Sequence, residues 1–135
     1  MPNTQAIGVA YSDPEFTTMY ASQEIGYSAA AQGSVTQLTS KSTAVTLNKS
    51  AGQITMNNAA LAGNTAASFT LNNSLISAND TIIVCISSVT TGSTAGAYTS
   101  YVSNMTTGSA SITLRNLSGT SYSEAVVINF SIIHC

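Results

Sequence analysis

Charged residues are scarce in this chain: Lys, Arg, Asp and Glu make up 6% of its 135 residues, and the formal net charge is −2. Ordinary soluble domains carry about 25% charged residues. Disordered chains combine low hydrophobicity with high net charge, whereas this chain is 44% hydrophobic, so its composition predicts a folded domain. Three cations cannot build a phosphate-binding surface, which excludes nucleic acid as an expected partner.

Long apolar runs and cysteines are equally rare. No stretch reaches the roughly 20 residues of a membrane-spanning helix, so no association with a membrane is expected. The start of the chain lacks a basic region followed by an apolar core, which predicts no secretory signal and folding in a cytoplasm. In that compartment Cys85 and Cys135 are expected to stay reduced, with Cys85 as a buried structural thiol.

The sequence offers little material for catalysis. His134 is the only histidine and adjoins Cys135, but neighbouring residues on a strand point to opposite faces, so no catalytic pair is expected. The scattered carboxylates and thiols give no metal-ligand spacing. There is no tryptophan, and Tyr98 and Tyr101 are predicted on opposite faces of one strand, which argues against an aromatic platform for sugars. The sequence therefore favours a protein that is not an enzyme and needs no cofactor or metal.

Alternating apolar and polar residues dominate the chain from Ser34 onward. This period of two recurs in about eight segments, which are separated by Gly, Asn, Ser and Ala clusters. The predicted strands are Ser34–Thr39, Thr43–Asn48, Gln53–Asn57, Ala67–Asn72, Thr81–Ser87, Tyr98–Asn104, Ser109–Asn116 and Glu124–Cys135. The pattern predicts an all-β domain over residues 34–135, an antiparallel β-sandwich or jelly roll of about eight strands.

Three segments carry finer predictions. Ser42–Gly63 holds two alternating runs around a polar, glycine-containing break, which predicts a β-hairpin with a loop longer than two residues. Both faces of Thr81–Ser87 are apolar, which predicts a central strand covered on both sides. The even-numbered residues of Val126–Ile132 are apolar and should lie in the core.

Residues 1–33 form an irregular N-terminal arm with aromatic residues at intervals. Pro14–Ala21 fits a short helix, because a capping aspartate precedes it and proline suits its first position, and equally fits an extended arm. The arm either covers one end of its own domain or reaches a partner subunit, and the sequence leaves both open. In a partner contact Tyr11, Phe16 and Tyr20 would be the anchors, because interfaces favour aromatic side chains.

Three separated stretches of the chain carry a recognisable pattern. They read GSVTQLTSKSTAVTLNKSAGQITMNNAAL from Gly33, FTLNNSLISANDTIIV from Phe69, and ITLRNLSGTSYSEAVVINFSII from Ile112. In this order they resemble a group of small proteins encoded among the structural genes of tailed bacteriophages. The resemblance covers residues 33–134, most of the chain.

The resemblance implies a virion structural protein with a β-sandwich or jelly-roll fold. Small members of the group resemble capsid decoration (cement) proteins, which bind over junctions between capsomers, commonly as trimers. It thus implies the major capsid protein and further copies of the chain, as a homotrimer, as partners. The implied location is the capsid surface of the virion, after synthesis in the bacterial host cytoplasm. The alternative is a receptor- or carbohydrate-binding module at the tip of a tail or head fibre, which the lack of coiled-coil heptads disfavours.

Overall fold

The computed structural model of the chain describes residues 17–18, 20–90 and 94–135. Its strands are β1 Gln32–Thr36, β2 Val45–Thr46, β3 Ala51–Thr55, β4 Ala66–Asn72, β5 Thr81–Val89, β6 Tyr98–Thr106, β7 Ser109–Asn116 and β8 Val126–Ile133. Short 3-10 turns, Ala29–Ala31 and Ala95–Ala97, precede β1 and β6. Each predicted strand overlaps an observed one, so the all-β prediction is confirmed.

The strands form two four-stranded sheets around one hydrophobic core. Sheet A has the order β1-β3-β8-β5, and sheet B has the order β2-β4-β7-β6. Most core side chains come from β3, β4, β7 and β8, the two central strands of each sheet. The even-numbered residues of Val126–Ile132 are all buried, as their alternation predicts.

The sheets are of mixed orientation, so the expectation of antiparallel sheets is wrong at two strand pairs. β1 runs parallel to β3, and β2 runs parallel to β4. The other four pairs are antiparallel, and the jelly-roll part of the prediction is not confirmed. Periodicity shows which residues share a face of a strand, but the connections between strands decide their direction.

The segment Ser42–Gly63 does not form the predicted hairpin. β2 belongs to sheet B and β3 to sheet A, so the chain crosses between the sheets here. The crossing is tied to the end of β4, because Leu47 N donates to Asn72 O at 3.0 Å and Asn73 Nδ2 donates to Lys49 O at 2.7 Å. A polar break between two alternating runs therefore suits a crossover between sheets as well as a hairpin.

β5 is an edge strand, and the prediction of a central strand is wrong. It lies at the end of sheet A, where it pairs with β8. Ile83 is 51% exposed on its outer face, and Cys85 is exposed too, so the predicted buried thiol is also wrong. Apolar residues on the outward face of an edge strand leave an apolar surface outside the core.

A close contact between two loops fastens one end of the fold. A Cβ atom added to Gly63 would lie 2.4 Å from the carbonyl carbon of Gly119, so the backbones meet where only glycine fits. Beside them the fully buried Asn116 donates from Nδ2 to three loop carbonyl oxygens, at distances between 2.8 and 3.3 Å.

Candidate functional site

An apolar groove lies on the outer face of sheet A beside β5. Its volume is about 610 Å³. Ile83 pairs with Ser131, and Thr81 pairs with Ile133, across the β5–β8 ladder, which brings the isoleucines to one face. The groove is lined by Ile25, Gly26, Tyr27, Ile83, Ser131 and Ile133, and none of these residues carries a charge.

The chain segment before β1 is held at this face through Tyr27. The Tyr27 hydroxyl donates a hydrogen bond to the carbonyl oxygen of Ile132, and Gln32 Nε2 donates to the carbonyl oxygen of Tyr27 at 2.7 Å. Upstream of this attachment Ile25 is 78% exposed. Burying exposed apolar surface against a partner is favourable, so this side of the molecule is suited to a contact.

The sequence names three contact anchors, of which the structure describes Tyr20. Its side chain is 91% exposed, so it is available to a partner and makes little contact with its own domain. Tyr11 and Phe16 lie outside the described residues. So does half of Pro14–Ala21, whose described residues are not helical.

Sequence reasoning assigns no contact role to Ile25, Tyr27, Ile83 or Ile133, which form most of the groove. For Ile83 the sequence does contain a signal, because this residue belongs to the second apolar face of Thr81–Ser87. Periodicity alone cannot distinguish the outer face of an edge strand from the second buried face of a central strand.

Few charged side chains lie on the exterior of the protein, because the fold buries half of the charged residues that the structure describes. Lys41, Asp80 and Glu124 are buried. In residues 17–18, 20–90 and 94–135, the charged side chains left exposed or half-buried are Glu24, Lys49 and Arg115. A surface with so little charge offers weak electrostatic repulsion between copies, which favours self-association.

Two of the buried charges belong to one hydrogen-bonded cluster. Lys41 Nζ donates to the carbonyl oxygens of Asn57 and Glu124, both at 2.5 Å. The Glu124 carboxylate accepts from the Tyr98 hydroxyl at 2.8 Å and from the Thr94 hydroxyl. Burial lowers the pKa of Lys41, opposed by the charge of Glu124, and burial and Glu124 raise the pKa of Tyr98. These groups satisfy one another, so the cluster stabilises the fold.

Asp80 connects the turn before β5 to the residue after β8. Its carboxylate accepts from the Ser77 hydroxyl at 2.6 Å and from the Ser77 N–H at 2.8 Å, and lies 2.9 Å from His134 Nδ1. The bonds from Ser77, with a smaller contribution from His134, lower the pKa of Asp80 to about 2. The carboxylate stands between hydroxyl and imidazole. This order differs from a catalytic triad, in which the imidazole bonds the serine directly.

This depressed pKa predicts a loss of stability in acid. A carboxyl group whose folded pKa is about 2, against about 3.9 in an unfolded chain, stabilises the fold above about pH 4, and that contribution is lost as the pH falls towards 2. The Asp80→Asn variant should therefore show a weaker decline in its urea midpoint between pH 4 and pH 2 than the wild type. Parallel declines in the two proteins would contradict this assignment.

The outer face of sheet B differs from the groove side. The hydroxyls of Ser68 and Thr113 lie 2.7 Å apart, and the Thr113 hydroxyl donates to that of Ser103 at 2.9 Å. Tyr101 is 45% exposed, while Tyr98 is buried on the inner face of the strand, so their predicted separation is confirmed. This face is a polar hydroxyl surface with an exposed tyrosine and the exposed Arg115.

Comparison with known proteins finds no matching family model, no matching curated protein and no matching solved structure. In the described ranges no helix has the length and apolar character needed to span a bilayer. Within the same part of the chain, no three His, Cys, Asp or Glu residues lie close enough to hold a metal ion.

Proposed function

We propose that this protein is a virion structural protein of a tailed bacteriophage, a capsid decoration (cement) protein. It binds the outer shell and stabilises contacts between neighbouring capsid subunits, with its two sheets packed as a sandwich. Its partners are the major capsid protein and further copies of itself in a homotrimer. It is made in the bacterial host cytoplasm and resides on the capsid surface.

The observation that carries the proposal is the grouping of exposed apolar side chains in the groove, which the exposed residues Leu38, Leu75, Tyr101 and Leu117 do not line. Ile83, Ile133 and Ile25 lie open on the outer side of sheet A, whereas the outside of sheet B carries hydrogen-bonded hydroxyls. Apolar side chains grouped on one surface mark a candidate contact site, in contrast to exposed apolar residues that are scattered singly. A protein held in a permanent assembly covers the patch against a partner and presents its polar face to solvent.

Binding in many copies turns modest contacts into a stable shell. A ligand that binds only the assembled state stabilises it at every occupied site by mass action. The resemblance to tailed-phage structural proteins supports a shell as that assembly, and the sparse surface charge supports dense packing of copies.

The test of the proposal is the copy number of this chain per purified particle, measured against the major shell protein by quantitative mass spectrometry. We expect a number comparable with that of the shell protein. A handful of copies would favour the fibre-tip alternative, and absence from particles would overturn both.

A pair of substitutions in the groove should weaken attachment without unfolding the protein. Ile83 and Ile133 are 51% and 49% exposed, so burying the rest of both against a partner contributes about 2 kcal/mol. The Ile83→Thr/Ile133→Thr variant keeps β-branched side chains, and we expect it to bind stripped shells about 30-fold more weakly. Binding is measured by co-sedimentation over a concentration series.

The matched control for the groove variant is Tyr101→Thr, because Tyr101 is 45% exposed on the opposite sheet. It should bind shells as the wild type does. If the control loses as much affinity as the groove variant, the groove has no specific role in shell binding.

The alternative, a receptor- or carbohydrate-binding module at a fibre tip, would use the face of sheet B. Tyr101 beside the hydroxyls of Ser103 and Thr113 is the feature that favours it, since sugars stack on aromatic rings and bond to hydroxyls. Those hydroxyls already bond to one another, which leaves little capacity for a ligand.

A further inference from the structure

We infer that the apolar groove receives residues 6–11 from a second copy of this chain. The inference rests on the proposed function in one respect, namely that the protein works as a multimer. It adds the identity of the segment that fills the groove and of the subunit that supplies it.

The first observation is the course of the chain as it leaves the domain. Tyr27 is fastened to Ile132, but residues 17–18 and 20–24 are all exposed. To fill its own groove the chain would have to turn back over a face that Ile25–Tyr27 already lines. The described residues before Ile25 do not pack on their own domain, which leaves the groove open to a segment from a neighbour.

The second observation is the character of the sequence upstream. Residues 6–11 read Ala-Ile-Gly-Val-Ala-Tyr, without a charge. In an extended chain Ile7, Val9 and Tyr11 share one side and the small residues share the other. Such a segment can place its apolar row against a surface, while its other side carries only small side chains.

The groove matches this segment in chemistry and in length. Its lining is uncharged, and its volume of about 610 Å³ lies within the roughly 300–1,000 Å³ of pockets that bind small molecules, which leaves room for a few side chains. Six extended residues span about 20 Å. That is the length of Thr81–Ile86, the regular part of the edge strand on whose outer face the groove lies.

Cys85 provides a reporter for this contact. It is exposed and lies two residues from Ile83, on the same face of β5 as the groove. A cysteine at position 9 of a bound segment would come close enough to form a disulfide with it under a mild oxidant such as diamide.

The experiment uses two versions of the full-length protein, co-expressed so that they assemble together. One carries Val9→Cys with Cys85→Ser and Cys135→Ser. The other keeps Cys85 and carries Cys135→Ser. After diamide treatment, we expect a covalent dimer of the two versions on a non-reducing gel, because the donor and acceptor thiols belong to different copies.

The control moves the acceptor thiol to the other sheet, with Tyr101→Cys replacing Cys85 in the second version. We expect about tenfold less dimer. Equal yields from the two acceptors, or no dimer with Cys85, would overturn the inference. So would a single chain carrying Val9→Cys and Cys85 that cross-links within the monomer only.

A second measurement covers the case in which cysteine at position 9 disturbs assembly. Deleting residues 1–11 should speed maleimide labelling of Cys85 by about tenfold, because the segment no longer covers that face, and an unchanged rate would overturn the inference. Both measurements use protein without shells. Their failure would leave the copy number per particle, and thus the decoration role, unaffected.

Discussion

Replacing Gly63 with alanine is expected to destabilise the fold by about 3 kcal/mol, the upper end of the usual cost of overpacking. The new Cβ would lie 2.4 Å from the carbonyl carbon and 2.5 Å from the carbonyl oxygen of Gly119. These are backbone atoms, so no side-chain rotation can relieve the clash. Either the loops separate, which breaks the hydrogen bonds of Asn116, or the protein stays folded under strain. The measurement is the urea midpoint at constant m-value.

The partner glycine supplies the control for this prediction. A Cβ on Gly119 would meet no atom of the described residues within 4 Å, so Gly119→Ala should change the free energy of unfolding by no more than about 0.5 kcal/mol. Both variants add the same methyl group to a glycine of this contact, but only the methyl group at position 63 points into the opposing backbone. If they destabilise the protein equally, loop propensity and not the close approach determines the effect.

The Glu124→Ala variant is expected to lose about 2–4 kcal/mol of stability, because each hydrogen-bonding group left without its partner costs about 1–3 kcal/mol. It deprives the hydroxyls of Tyr98 and Thr94 of their acceptor, and it leaves the charge of buried Lys41 without the nearby carboxylate. An unpartnered buried donor bears its full desolvation penalty. Thermal and urea unfolding monitored by circular dichroism would measure the loss.

Two further variants separate lost hydrogen bonds from lost packing. Glu124→Gln keeps an acceptor of nearly the same shape and should lose much less stability than the alanine variant. In the Glu124→Ala background, Tyr98→Phe removes the orphaned hydroxyl and should cost less than Tyr98→Phe does alone. Additive losses in this double-mutant cycle would show that the Tyr98–Glu124 bond contributes nothing to stability.

The strand content could be predicted from the sequence, because apolar alternation depends on which face of each strand is buried. Which strands pair with one another could not be predicted. Nothing in the spacing around Asn48–Ala51 distinguishes a hairpin from a crossing between sheets, since both need a polar turn. The direction of β1 beside β3 likewise depends on a connection that spans both sheets.

The sequence predicts that the protein has a contact surface, but it does not predict where that surface lies. Aromatic residues in the arm predict a contact with either its own domain or a partner subunit, and that prediction stays untested; Tyr20 is exposed. The groove itself combines Ile25 and Tyr27 with Ile83 and Ile133, which lie more than 50 positions further along the chain. Only the pairing of β5 with β8 brings these residues together, and pairing is what periodicity leaves undetermined.

The burial of Lys41, Asp80 and Glu124 has a consequence for how the protein responds to its medium. Salt acts on exposed charges by screening them over about 8–10 Å, and the described exterior has few charges to screen. Contacts made by this surface should therefore hold from dilute buffer to seawater, and strengthen in sulfate, which favours apolar burial. The described surface of this protein should therefore behave in nearly the same way across a wide range of ionic strength.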